Sequence, residues 1–298
     1  IRPQDSLGAI ARGNQLIVVG DPKQLPPTRF FEKLADGDDE DEDNVALQDT
    51  ESILDGALPI FKKRRLRWHY RSRHDSLIAF SNRHFYDSDL VIFPSPFQGN
   101  KKYGVFYERI NGRCLSSINR KEAKAIAQKA AEHLMTNVDE SIGIVAMNIK
   151  QKEEIEVQLE VLSKEDPKFR IAFDKDKNKV ENLFIKNLET VQGDERDVIM
   201  ISLTYGPEEE NKPMFQRFPT INQDGGERRL NVLFTRAKNR MLVFSSMDSG
   251  DIKIKHDSKK GVKSLRAFLE YCETGHLHQI ENTGKDPEND FEISVMHS

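Results

Sequence analysis

The fold is decided by two apolar stretches, IGIVAM at residues 142–147 and DVIMISLT at residues 197–204. Both are dense in Ile, Val and Met, and neither alternates regularly between apolar and polar positions. A strand of this kind is expected where both faces of a sheet are covered, as in a parallel sheet with helices on each side. The two stretches therefore predict buried strands of a parallel α/β sheet.

Outward from these stretches, apolar strands alternate with amphipathic helices along the chain. This alternation is typical of a parallel α/β sheet. Further strands are predicted near 15–20, 103–109, 182–188 and 240–246. Helices are predicted near 74–86, 119–136, 149–163, 228–238 and 262–273. The pattern supports one doubly wound sheet over about residues 60–273 and leaves open which sheet the strand 15–20 joins.

The composition excludes several classes of protein. Hydrophobic residues make up 37% of the 298 residues and charged residues 32%. No window approaches the roughly 20 apolar residues of a membrane span, and the N-terminus carries no secretory signal. The two cysteines, Cys114 and Cys272, stand far apart, which excludes a disulfide scaffold or a cysteine-based zinc site. We expect a cytoplasmic protein with no membrane partner and no metal site of its own.

The net charge of −4 conceals an uneven distribution. Residues 36–55 hold ten acidic residues and no Lys or Arg, and outside them Lys and Arg outnumber Asp and Glu by six. The stretch KKRRLRWHYRSR at 62–73 carries seven Lys or Arg. The acidic run is typical of a solvated loop. The basic run fits either a solvated face or a surface for a polyanionic partner.

The stretch GDPKQLPP at 20–27 follows the predicted strand 15–20. Asp21, at the end of that strand, could hold a metal ion as in a Walker B segment, but Pro22 stands where a second acid is usual. Gln24 lies on a loop stiffened by two prolines, so it is placed to touch a ligand in the crevice of an α/β sheet. A capped, proline-terminated strand explains the same residues equally well.

Arginines are prominent in two later motifs. In WHYRSRH at 68–74, Arg71 and Arg73 precede a predicted helix, where they favour a phosphate or pair with nearby acids. In GGERRLNVLFTRAK at 225–238, Arg236 lies near the end of a predicted helix. It could reach a nucleotide in the manner of an arginine finger, or lie on a solvated face.

A further motif, NLETVQGDERDVI at 187–199, gathers polar residues before a buried strand. Its Gly193 lets a backbone N–H approach a ligand closely, and the polar side chains of Thr190, Gln192 and Glu195 surround it. As a lone pattern this motif is also typical of an ordinary turn.

Taken in order, these motifs resemble the later motifs of superfamily 1 helicases. Motif III is similar to GDPKQLPP, motif IV to YRSRHDSLIAFSN, motif V to VQGDERD and motif VI to RRLNVLFTRAK. The resemblance is close to a bacterial branch of large proteins, similar to the RNA-decay factor Upf, in which a nuclease-like domain follows the motor. It implies a RecA-like P-loop NTPase fold, with ATP between two such domains.

The resemblance also divides the chain into parts. Residues 1–35 correspond to the end of a first RecA-like domain, and 36–60 to an acidic loop and connector. Residues 61–273 correspond to the second RecA-like domain. The remaining residues, 274–298, correspond to a linker toward a downstream domain.

Individual residues receive roles from the same resemblance. Gln24 is expected to sense the γ-phosphate of ATP, while Arg71 and Arg236 bring charge to it, with Arg236 as the finger. The other nucleotide contacts implied are Asp21, Gln192, Gly193, Glu195 and Thr235. The nucleic-acid contacts implied are Asn148, Gln151 and Thr190. The expected cofactor is ATP with Mg²⁺, and the expected partner is a single strand, DNA in preference to RNA.

Two parts of an ATPase site are absent from the sequence. It contains no Walker A stretch G-x-x-x-x-G-K-S/T and no acid pair of motif II. The β- and γ-phosphates then lack their main ligands, so we expect the chain to need a first RecA-like domain in the same protein before it hydrolyses ATP efficiently. Two functions stay open: the C-terminal part of an ATP-dependent helicase or translocase, and a non-catalytic nucleic-acid-binding module.

Overall fold

A five-stranded sheet forms the centre of the computed structural model, which describes residues 1–25, 52–209, 212 and 214–277. The strands are β1 (Gly104–Arg109), β2 (Ile142–Ala146), β3 (Phe184–Asn187), β4 (Arg196–Ser202) and β5 (Ala237–Ser245). Their order across the sheet is β1-β5-β4-β2-β3, and every neighbouring pair is parallel. The predicted α/β class with a parallel sheet is confirmed.

Helices cover both faces of the sheet. They are α1 (Pro3–Ile10), α2 (Ile53–Ala57), α3 (Ser76–Phe85), α4 (Arg120–Thr136), α5 (Ile149–Glu165), α6 (Pro167–Lys177), α7 (Gly226–Phe234) and α8 (Lys260–Thr274). One face packs α3, α7 and α8 against Val145 and Ile199, and the other packs α4, α5 and α6 against Ile144 and Val198. Because successive strand residues point to opposite faces, burial of both faces explains the continuous apolar stretches.

Local sequence signals fix the ends of the outer helices. Asn119 accepts a hydrogen bond from the backbone N–H of Glu122 and so caps α4. Helix α6 was not predicted, although Asp166 caps it and Pro167 occupies its first turn. Phe169 is the large apolar side chain that α6 buries, so its hydrophobic periodicity is weak.

The predicted helix over 228–238 is wrong at its C-terminal end. Helix α7 ends at Phe234, and β5 begins at Ala237. The chain turns between them, and the Arg236 Nε donates to the Val232 carbonyl at the helix end, which also accepts from the Thr235 hydroxyl. Arg236 therefore lies in a turn before a strand.

Residues 15–20 do not form the predicted strand. No partner strand lies beside them in the described part of the chain, and Ile17 and Val19 are 75% and 81% exposed. A strand needs a neighbouring backbone for its hydrogen bonds, so an apolar segment without one stays irregular. The segment nevertheless ends against the main sheet, because Leu25 packs into the core on the α3, α7 and α8 face.

Two predicted segments lie largely outside the described residues. The acidic run is described only from residue 52, and the chain after α8 only to residue 277. The proposed division into four parts therefore stays a prediction. Within the described ranges, no helix is long and apolar enough to cross a membrane.

Candidate functional site

The predicted site residues fall at two opposite edges of the sheet. Glu195 and Arg236 directly precede β4 and β5, so they lie where strands begin, here called the amino edge. Asn148 and Thr190 follow β2 and β3, so they lie where strands end, here called the carboxyl edge. In a parallel sheet these edges are separated by the length of a strand, which separates the predicted nucleotide and nucleic-acid contacts.

At the amino edge, Arg71 is held between two segments. Its Nε lies 2.7 Å from Glu195 Oε2, and its Nη1 donates to the Thr235 carbonyl at 3.2 Å. The other oxygen of Glu195, Oε1, lies 3.5 Å from Lys238 Nζ. These charged side chains keep part of their surface exposed, so the arrangement is open to a ligand from solvent.

Arg236 is buried close to Arg71. It is 3% exposed, and its guanidinium donates to Val232 O, Asp194 O and Thr235 Oγ1. Burial, and after it the charge of Arg71, lowers the pKa of Arg236 to about 10, so the side chain stays protonated at neutral pH. Its three acceptors are all uncharged oxygens. Because the side chain is 3% exposed, contact with an anion from solvent requires the guanidinium or the groups around it to move.

The loop formed by residues 20–25 holds Gln24 through its own aspartate. Asp21 Oδ2 accepts hydrogen bonds from Gln24 Nε2 at 3.1 Å and from the Tyr86 hydroxyl at 2.6 Å. Asp21 Oδ1 accepts from the backbone N–H of Lys23 at 2.9 Å. Asp21 therefore closes the loop on itself and ties it to the end of α3, so its contacts position Gln24.

Three contacts dock the same loop against the sheet domain. Leu25 is buried in the core, and its carbonyl accepts a hydrogen bond from Gln192 Nε2 at 3.1 Å. Asn231 Nδ2 donates to the Lys23 carbonyl at 3.0 Å. Gln192, predicted as a nucleotide contact, thus binds the loop that carries Gln24.

Gly193 adopts a backbone conformation that favours glycine. Its φ is +93°, and no atom lies within 4 Å of the position that a Cβ would occupy. The space beside the backbone at this point is therefore open, while a side chain would be strained by the positive φ. The next residue, Asp194, pairs with Lys186 of β3 and fixes the turn.

At the carboxyl edge, Asn148 and Thr190 shape two turns. Asn148 caps α5 by accepting from the backbone N–H of Gln151 at 2.8 Å, and it donates to the Ser117 carbonyl at 3.1 Å. Thr190 is exposed, and its hydroxyl donates to the side chain of Asn187 at 2.7 Å. Both residues keep surface that a ligand can reach.

Gln151 and Thr235 are buried, contrary to their predicted roles as ligand contacts. The Gln151 amide is 0% exposed, donates to Asn119 O and Ser202 Oγ, and accepts from Asn119 N. Three positions after its cap, helical geometry turns this side chain toward the sheet. Thr235 is 6% exposed, and its hydroxyl donates to carbonyls within α7.

Tyr86 and Asn231 belong to the site and were not predicted. Asn231 is 0% exposed and donates from Nδ2 to the Tyr86 oxygen at 2.9 Å. Burial and the hydrogen bond to Asp21 raise the pKa of Tyr86, so it remains a donor. In the sequence both read as parts of amphipathic helices, and their contacts with the distant loop leave no local signal.

The basic run at 62–73 is extended and largely exposed. Arg65 and Arg67 each lie 2.9 Å from Asp89. Such exposed pairs contribute little to stability. Across the residues that the structure describes, no group of three His, Cys, Asp or Glu side chains could hold a metal ion.

Comparison with known proteins gives one family and several relatives. The family described as AAA domain matches residues 51–248. Over 283 residues the chain is 34% identical to the uncharacterized ATP-dependent helicase MG140 of Mycoplasma genitalium, and 33% identical to the MG140 homologue of Mycoplasma pneumoniae. Each comparison covers 91% of this chain but 24% of the relative, so the chain spans about a quarter of the length of these curated relatives.

A solved structure matches part of this chain. It is the C-terminal domain of a possible DNA helicase from Lactobacillus plantarum. The identity is 12% and the TM-score 0.35, with 63% of this chain and 94% of that chain covered.

Proposed function

The chain belongs to the AAA domain family, and from this premise we propose that it is the C-terminal RecA-like portion of an ATP-dependent superfamily 1 helicase. The identity of about a third to two ATP-dependent helicases over most of the chain supports this function. The order of motifs supports the bacterial branch similar to Upf. Free thiols at Cys114 and Cys272 support a cytoplasmic location.

One observation carries the proposal: Arg71 and Arg236 lie close together at the amino edge, near the docked Gln24 loop. Two guanidinium groups at close quarters repel each other, which contributes to the lowered pKa of Arg236. An anion bound beside both would relieve this repulsion, and the γ-phosphate of ATP is an anion of suitable charge. The protein groups assembled here therefore fit a nucleotide phosphate.

Each residue of the amino edge has a part in this proposal. Gln24 donates its amide to the γ-phosphate, and Asp21 orients that amide. Gly193 offers its backbone, while Glu195 orients Arg71. Gln192 and Thr235 act indirectly. Gln192 binds the loop that carries Gln24, and Thr235 binds the Arg236 guanidinium.

ATP with Mg²⁺ supplies the phosphoanhydride bond that is broken. The described residues offer donors for phosphate but no acidic cluster for a metal ion. We therefore assign Mg²⁺ and the cradle of the β-phosphate to a first RecA-like domain of the full-length gene product. In this division, residues 61–273 are the second motor domain, 1–35 the end of the first, 36–60 the connector and 274–298 a linker.

We assign the carboxyl edge to nucleic acid. Asn148 and Thr190 present polar side chains there, and ligands of open α/β sheets bind at that edge. The excess of six basic residues outside 36–55 supports a polyanionic partner. We propose a single strand, DNA in preference to RNA, and Gln151 takes no direct part because it is buried.

The test is ATP hydrolysis by the full-length gene product, measured with single-stranded DNA and RNA in parallel. We expect stimulation by nucleic acid, and Arg236→Ala should lower kcat by about 10³-fold or more, the size typical of arginine fingers. The control is Arg67→Ala, which removes a surface arginine paired with Asp89. Wild-type turnover in Arg236→Ala contradicts the assignment.

A non-catalytic nucleic-acid-binding module is the second candidate. The lack of a Walker A stretch supports it, as does the burial of Arg236. This candidate predicts salt-sensitive binding of single strands that neither ATP nor ADP changes, together with no hydrolysis by the full-length gene product. Nucleotide-dependent affinity for the strand would rule it out.

A further inference from the structure

We propose that Tyr86 and Asn231 are positioning residues that connect Gln24 to Arg236. Tyr86 lies outside the quoted motifs, and Asn231 lies within RRLNVLFTRAK without a role implied by it. The inference rests on the proposed function, because it places both residues between the two ends of the same nucleotide site. It adds a series of contacts by which ligand binding at the loop 20–25 changes the position of the Arg236 side chain.

The first half of the link runs from the loop to α7. Gln24 Nε2 and the Tyr86 hydroxyl both donate to Asp21 Oδ2, at 3.1 and 2.6 Å. Asn231 Nδ2 in turn donates to the Tyr86 oxygen at 2.9 Å. Asn231 also donates to the Lys23 carbonyl, so it grips the loop at a second point. A movement of the Gln24 side chain therefore acts on Tyr86 and Asn231 through a shared carboxylate oxygen.

The second half of the link runs along the end of α7. The Thr235 hydroxyl donates to the Asn231 carbonyl at 3.0 Å, and Arg236 Nη2 donates to Thr235 Oγ1 at 3.1 Å. The Tyr86 and Thr235 hydroxyls each accept one hydrogen bond and donate onward, toward Asp21 and toward the Asn231 carbonyl. The contacts are therefore continuous from Gln24 to Arg236, and the side-chain donors from both ends converge on Asp21.

Burial makes this series costly to disturb. Asn231 is 0% exposed and Arg236 3%, while Tyr86 is partly buried. Hydrogen bonds are stronger in such surroundings, and one that ends on a carboxylate is stronger than a neutral one. The Asn231 Oδ1 is buried without a hydrogen-bond partner among the described residues. A free acceptor at the point where the loop, Tyr86 and α7 meet can take a new donor when the loop shifts.

Through this link, release of the Arg236 guanidinium from its buried acceptors depends on the position of Gln24. In this structure Thr235 is one of the groups that hold the guanidinium inward. When Gln24 turns to a γ-phosphate, its bond to Asp21 changes, and Tyr86 and Asn231 carry that change to the helix end. Spatial continuity alone does not demonstrate such coupling, so the test measures it directly.

The first measurement is ATP turnover by the full-length gene product carrying Tyr86→Phe. We expect kcat to fall about tenfold, the effect of losing a hydrogen bond to a charged group, with KM for ATP within about twofold. The matched control is Tyr107→Phe, which removes a partly buried hydroxyl that donates to Asp248 at 2.8 Å. The control should stay within about twofold of wild type, and an equal loss in both variants overturns the proposal.

The second measurement tests whether Tyr86 acts through Gln24. In a Gln24→Ala background, Tyr86→Phe should cost less than about twofold in kcat, because the link is already cut. Asn231→Ala should show the same dependence on Gln24. Losses that multiply independently overturn the connection.

A third measurement does not depend on catalysis. Hydrogen–deuterium exchange of residues 20–25 should accelerate in Tyr86→Phe, because the Lys23 N–H bonds to the carboxylate that Tyr86 holds. Tyr107→Phe should leave this exchange unchanged. Unchanged exchange in Tyr86→Phe overturns the positioning role even in an active enzyme. A wild-type protein without ATP hydrolysis refutes the proposed function and the catalytic half of this link, while exchange still decides the structural half.

Discussion

Arg71 Nε lies 2.7 Å from Glu195 Oε2, so the guanidinium assigned to the γ-phosphate is already paired with a carboxylate. Glu195 Oε1 also lies 3.5 Å from Lys238 Nζ. One acid thus holds positive groups from two other segments of the chain. A phosphate that binds Arg71 competes with Glu195, which makes this acid a determinant of nucleotide affinity.

Replacing Glu195 with Gln should tighten nucleotide binding and slow turnover. The change removes the competing charge, but it also removes the group that orients Arg71. The pair is partly exposed and contributes about 1 kcal/mol or less, so Kd for ATP should fall by about fivefold or less. Titration with a fluorescent ATP analogue measures the affinity. Glu181→Gln is the control, because Glu181 contacts Lys238 without contacting Arg71; weaker binding in Glu195→Gln contradicts the competition.

Replacing Arg236 with Lys tests whether charge alone is sufficient at this position. Lysine keeps the positive charge but lacks the planar fork by which arginine reaches several oxygens at once. We expect kcat to fall by about 10²-fold or more, a smaller loss than complete removal of an arginine finger, because the charge is kept. The control is Arg240→Lys, at an arginine that is mostly buried elsewhere in β5. Full turnover in Arg236→Lys would show that a positive charge is sufficient at this position and that the planar guanidinium is not required.

The sequence predicted the sheet well, because burial of both faces leaves a direct compositional signal at β2 and β4. It failed at 15–20, where the composition is that of a strand but no neighbouring strand is described to complete the hydrogen bonds. The sequence-based prediction also extended the helix α7 four residues too far, to residue 238. The residues from Thr235 to Arg240 include no Gly or Pro, so no breaker residue marks the turn between the helix and β5.

The candidate site was predictable only where a motif sits on a turn. Gly193 shows the open backbone that its residue type suggested. Gln151 was misjudged because the motif does not tell which face of α5 the residue occupies. Tyr86 is 65 residues from Asp21 and 145 from Asn231, so no local pattern could bring the three together. Such contacts follow from tertiary packing alone.

Replacing Gln151 with Ala should destabilise the fold without a specific loss of nucleic-acid affinity. The change leaves the buried Asn119 N–H without its partner, which costs about 1–3 kcal/mol in the free energy of unfolding. Urea denaturation measures this cost. Thr190→Ala is the counterpart at an exposed position of the carboxyl edge, and it should weaken single-strand binding while changing stability by about 1 kcal/mol or less. If Gln151→Ala keeps wild-type stability but binds single strands more weakly, Gln151 contacts nucleic acid directly and the prediction is wrong.

Stability should depend on pH through Glu122, a fully buried carboxyl group of α4. Its oxygens accept hydrogen bonds from Ser202 Oγ and the Thr204 N–H, each at 2.6 Å. Burial raises the pKa of Glu122 from 4.5 to about 7, and these hydrogen bonds offset only part of the rise. Between about pH 4.5 and 7 this group is therefore more protonated in the folded protein than in the unfolded chain, and its contribution to stability falls as pH rises through this window and levels off above it. Burial lowers the pKa of His69 and of His84 to about 4, so these two groups contribute in the opposite direction between about pH 4 and 6.5.

The variant Glu122→Gln should remove the Glu122 contribution, because an amide has no proton to lose, so the slope of the free energy of unfolding against pH should become more positive than in wild type. A pKa difference of this size corresponds to roughly 3 kcal/mol between the two ends of the window. The measurement is urea denaturation at a series of pH values from 4.5 to about 8, comparing slopes of the free energy of unfolding. Glu132→Gln is the control, because it removes a largely exposed carboxylate of the same helix. If Glu122→Gln keeps the wild-type slope between pH 4.5 and 7, another group causes the pH dependence.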